Sequence, residues 1–150
     1  FDSRLWMHYN AVVVTPAMAL TKPGAGSDYL IAGLDSRHQA LDGGKTYKIT
    51  VPPDVPAKDF WSFTVYSNQH RSLLETDQQA AGLDSFKEGL EANEDGSYTI
   101  WFSSAPPKGK KNNWVQTMPG KTFSVIVRLY GPLEPWFDKS WKPGDFEVHE

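Results

Sequence analysis

The sequence predicts an all-β class with minor helix, an antiparallel sandwich or barrel. Three observations carry this. Several segments alternate apolar and polar residues with period two, the signature of a half-buried strand. Gly and Pro, 12 and 11 in number, fall between those segments as turn punctuation. Between the alternating stretches there is little helical period, which leaves about seven or eight short strands as the repeating element.

Asp28 to Leu34 reads as the first strand. Asp42-Gly43-Gly44 is a turn, since Gly takes positive φ at no steric cost. Lys45 to Val51 follows, with Tyr47, Ile49 and Val51 on one face. Pro52, Pro53 and Pro56 break it. Phe60 to Tyr66 alternates again, Trp61, Phe63 and Val65 one way and Ser62, Thr64 and Tyr66 the other. Asn93 to Ser97 turns the chain into a strand over Tyr98 to Phe102. A polar loop over Pro106 to Asn113 leads to a short strand, Trp114 to Gln116. Thr122 to Tyr130 is the clearest strand, with Phe123, Val125, Val127 and Leu129 on one face. Leu133 to Asp138 predicts a helical turn, stopped by Pro143-Gly144. Phe146 to Val148 predicts a last edge strand. Phe1 to Asn10 is ambiguous, because Leu5, Tyr9 and Val12 fit helical spacing.

Composition excludes several classes of function. The 150 residues suit one domain with a real core. Zero Cys excludes a disulfide scaffold, a thiolate metal site and a cysteine nucleophile. A net charge of −3 argues against nucleic-acid binding. No apolar run approaches a membrane span, the longest being Ala11 to Val14. The chain opens at Phe1, so a preceding leader or domain is an expectation, and the compartment, cytoplasmic or exported, is not legible.

Several ordered motifs resemble a bacterial family, domain of unknown function 1214. They are Val55 to Tyr66 (VPAKDFWSFTVY), Gln69 to Gln78 (QHRSLLETDQ), Asn113 to Lys121 (NWVQTMPGK), Arg128 to Pro132 and Trp136 to Gly144. Thr15 to Ala19 and Leu41 to Tyr47 fit as well. The resemblance implies a jelly-roll-like β sandwich. It also implies the C-terminal half of a two-domain protein whose other half is domain of unknown function 1254. It implies no established activity.

The residues themselves offer limited chemistry. The four imidazoles, His8, His38, His70 and His149, include no local pair of the kind a metal centre uses, so no metal or other cofactor is expected. Gly24-Ala25-Gly26-Ser27 has neither the nucleophile-elbow spacing nor a dinucleotide fingerprint. Glu75 and Asp77, two apart, would share a face if on a strand, and such paired carboxylates can divide acid and base roles. Arg71 is close enough in sequence to hold one of them ionised. Arg128 and Tyr130 stand on the polar face of the clearest strand. If that face is internal, Arg128 needs an acid, with Asp59, Asp77 and Glu134 available. With Tyr66 and Gln116 these groups would supply donors to a small polar or anionic ligand. Trp61 and Trp101 read as core. Trp114, Trp136 and Trp141 lie beside turns, where they cover the core or stack on a ligand.

Two functional expectations follow. The first is a binding or docking module that pairs with an N-terminal partner domain or forms a homo-oligomer. The second is a hydrolase or lyase on a carbohydrate-like or small anionic substrate, using Glu75, Asp77, Arg71, Arg128 and Tyr130.

Overall fold

The computed structural model describes residues 22–149. Among them, eight strands form two four-stranded sheets, β1-β7-β3-β4 and β6-β5-β2-β8. In chain order they are β1 (Ser27–Ala32), β2 (Thr46–Val51), β3 (Ala57–Ser67), β4 (Gly82–Asp84), β5 (Tyr98–Ser103), β6 (Trp114–Gln116), β7 (Phe123–Pro132) and β8 (Glu147–His149). The helical turn α1 covers Glu134–Phe137. The expected all-β sandwich with minor helix is therefore the observed architecture. Thr15 to Ala19, His8 and the ambiguous Phe1 to Asn10 lie outside the described residues.

Alternation explains the packing. Val125, Val127 and Leu129 of β7 pair across the sheet with Val65, Phe63 and Trp61 of β3. All six are buried and face Tyr47, Ile49 and Val51 of β2 with Ile100 and Phe102 of β5. Each such side chain contributes about 1.5–3 kcal/mol by leaving water, so this layer is the main source of stability.

Three features depart from the sequence reading. The sheets are antiparallel except at β5–β6, where Trp101 to Ser103 run parallel to Trp114 to Gln116. Strand β4 carries too short a pattern to be legible. Its Gly82 is required by close approach, since a Cβ there would lie 2.0 Å from the Phe63 carbonyl oxygen. Trp101 is buried but is not part of the central core. It pairs with Lys48 on the outer face of its sheet, its ring centroid 4.9 Å from that of His149.

The connector after β7 closes one end of the sandwich. Trp136 is buried and its Nε1–H donates to Asp28 Oδ2 at 2.8 Å. Trp141 is also buried, 6.2 Å from Trp136 between ring centroids, and donates to the Pro53 carbonyl at 3.1 Å. A buried indole N–H usually finds an acceptor, and both of these do, whereas the buried Trp101 Nε1–H has none among the described residues.

Candidate functional site

Register decides which side chains meet. Tyr29 of β1 pairs with Arg128 of β7, Arg128 with Ser62 of β3, and Ser62 with Asp84 of β4. Arg128 and Leu129 are adjacent, so they point to opposite faces. Leu129 is in the core, which places Arg128 on the outer face of its sheet. The neighbouring row holds Ser27, Tyr130 and Phe60. Tyr66, paired with Ser124, stands further along the same outer face.

This face carries an aromatic cluster around one cation. The Arg128 Nη1–H donates to the Tyr130 hydroxyl at 2.7 Å. Its guanidinium carbon sits 4.7 Å from the centre of the Tyr29 ring and 5.5 Å from that of Tyr130. Phe60 stacks on Tyr130 with centroids 3.9 Å apart, and Phe86 lies 5.3 Å from Phe60. Partial burial works against the Arg128 charge, but the hydrogen bond to Tyr130 and the surrounding phenols outweigh it and raise its pKa above the usual arginine value.

The expected acid partner of Arg128 is absent among the described residues, which corrects the sequence reading. Among the described residues no Asp or Glu oxygen comes within 4.0 Å of the guanidinium, and the ion pair found there is Lys48–Glu147 at 3.1 Å. The expectation assumed an internal face. On an outer face phenols and π-faces suffice to hold an arginine.

Glu75, Asp77 and Gln116 assemble elsewhere. They line a cavity of about 470 Å³ with Ser104, Thr117 and Met118. Gln116 Nε2 donates to Asp77 Oδ2 at 3.1 Å and to the Ser104 carbonyl at 3.3 Å. Residues 75–77 are not a strand, so the same-face argument does not apply to Glu75 and Asp77. They share the cavity because the loop between β3 and β4 runs beside β6, where the Gln116 backbone N–H donates to Gln78 Oε1 at 2.7 Å. Arg71 sits in a turn at φ +56, exposed, and among the described residues makes no ion pair with either carboxylate.

The five residues of the enzymatic expectation are thus divided. Arg128 and Tyr130 line one cavity, while Glu75 and Asp77 line another. Trp114 and Trp136 present no open ring face. Both are buried, and Trp114 Nε1–H donates to the Ser103 carbonyl at 3.0 Å. The sequence reading missed Phe60, Phe86 and Tyr29 as members of the outer cluster. Phe60 was legible from the alternation of β3, which sets it opposite to Trp61.

Comparison with known proteins adds the family and the fold. No curated protein matches the chain. Among solved structures, the VPA0106 protein from Vibrio parahaemolyticus is similar over 95% of this chain and 34% of its own, at 24% identity and a TM-score of 0.73. A putative uncharacterized protein from Burkholderia cenocepacia is similar over 85% of this chain and 31% of its own, at 22% identity and a TM-score of 0.50. The chain therefore spans about one third of the length of these structures. A family model matches residues 26–134, which takes in the β1-β7-β3-β4 face described above. The chain belongs to the family described as Protein of unknown function (DUF1214).

Proposed function

We propose that this domain is a docking module. Its binding surface is the outer face of the β1-β7-β3-β4 sheet together with the adjoining β1 edge. The observation that carries the reading is where large apolar groups meet water. Phe86 is 74% exposed, Ile31 69%, Leu73 55% and Tyr29 47%. Tyr29 and Ile31 lie on β1, an edge strand that pairs only with β7 among the described residues. Its sequence through Leu34 carries no Lys, no Pro and one acid, Asp28, whose Oδ2 is engaged by Trp136. Natural edge strands are normally blunted by such residues, and contiguous exposed apolar groups mark interaction surfaces.

The partner we propose is a further domain of the same polypeptide, in line with the two-domain arrangement the sequence resemblance implies. In support, the solved relatives carry roughly twice as much additional chain beside the region they share with this one. The test is hydroxyl-radical footprinting of the full gene product beside the 150-residue chain, with light scattering on both. Protection of Tyr29, Phe86 and Tyr130 in a monomeric longer product supports the reading. Equal reactivity in both overturns it, and so does protection that appears only through self-association of the 150-residue chain, which would make the partner a second copy.

A further inference from the structure

This inference rests on the docking reading and specifies its chemistry. We propose that Arg128 is the anchor for a single carboxylate, an Asp or Glu side chain of the partner domain, received in the trough beside it. That trough has a volume of about 330 Å³, with Ser62 and Thr64 below it and Phe60, Leu73, Arg128 and Tyr130 around it.

The argument starts from unfilled donors. A guanidinium offers five N–H groups in a planar fork. Among the described residues one of them is engaged, by Tyr130. Partial burial against Tyr29 and Tyr130 removes water from the cation, and a carboxylate accepting two parallel N–H bonds is the group that best compensates. The protein's own nearest candidate in that row does not serve. Asp84 lies two strands from Arg128, roughly 9–10 Å at the backbone, and its Oδ1 accepts the Phe86 backbone N–H at 2.8 Å. Between them stands Ser62, small enough to leave space above the sheet.

Charge favours a monoanion. The trough holds one cation and, at its far side, the Asp84 carboxylate. A phosphate dianion would bring a second charge for which the trough lines no second cation, with Asp84 the one acid among its lining residues. The flanking rings suit the apolar stem of an acidic side chain.

The probe is sodium benzoate, with benzamide as its uncharged isostere, titrated into the 150-residue chain. Binding is read from the Arg128 Nε–H and the Tyr29 and Tyr130 ring resonances. We expect saturable shifts with benzoate at millimolar concentration and affinity for benzamide at least about tenfold weaker. Arg128→Gln, with unchanged circular dichroism, should abolish the benzoate shifts. Equal response to both compounds, shifts confined to other residues, or no response up to about 50 mM benzoate would overturn the assignment. The two readings fail separately. A footprint in the full gene product with benzoate silent removes the carboxylate anchor and leaves docking. Benzoate binding without a footprint removes docking, and with it the partner's side chain as the ligand.

Discussion

Arg128 and Tyr130 stand two residues apart on β7 and are joined by a 2.7 Å hydrogen bond from guanidinium to phenol, on the face of the sheet turned away from the core. This pair replaces the buried ion pair that the sequence suggested. A half-buried arginine on an outer sheet face, stacked on phenols, contributes little to folding. We expect Arg128→Ala to lower unfolding free energy by about 1 kcal/mol or less, measured by urea denaturation.

The opposite face of the same strand behaves differently. Leu129 is fully buried beside its cross-strand partner Trp61. Leu129→Ala should cost about 2–5 kcal/mol, because it removes buried area and leaves a cavity. The shifts in urea midpoint caused by adjacent substitutions on one strand should therefore differ severalfold, which tests the facing of β7 directly.

Gly43 tests backbone approach. A Cβ at this position would lie 2.1 Å from the Met118 carbonyl oxygen, and backbone cannot yield as a side chain tip does. Gly43→Ala should destabilise by more than about 2 kcal/mol, whereas Gly120→Ala, with nothing within 4 Å but a φ of +76, should cost only its positive-φ strain of about 1–2 kcal/mol.

Stability should also depend on acid. The Gln39 backbone N–H is the main group holding Asp35 below the ordinary value of 3.8; burial opposes it, and the Arg37 N–H adds to the lowering. The Ser97 hydroxyl and N–H lower Asp95, and those of Ser140 lower Asp138. A carboxyl with a depressed folded value contributes stability that is fully present above its unfolded value and is lost as pH falls through the folded one. The urea midpoint should therefore be flat with respect to these groups above about pH 5 and fall below about pH 4. Asp35→Asn should flatten part of that fall.

Much of the fold was legible because its strands obey period two. β2, β3 and β7 alternate cleanly, and the observed register puts Tyr47, Phe63 and Val127 inside as the pattern requires, whereas β5 buries four residues in a row, Ile100 to Ser103. β4 was not legible because three residues, Gly82 to Asp84, carry no periodicity; their place is set by contact with Phe63. The candidate site was legible only in part. The residue types Arg128, Tyr130 and Tyr66 were identifiable, but which face they occupy depends on tertiary packing. Trp114 and Trp136 looked like turn residues in one dimension, yet their indoles find carbonyl and carboxylate acceptors contributed by distant segments. Asp77 and Gln116 meet although 39 residues separate them, a contact no local spacing encodes.

The measurement closest to the central claim is side-chain footprinting of Tyr29, Phe86 and Tyr130 in the full gene product, set against the 150-residue chain. The account predicts several-fold slower oxidation of these three rings in a longer gene product, with His149, exposed on the β8 edge of the other sheet, unchanged. Identical oxidation rates in both forms would contradict it.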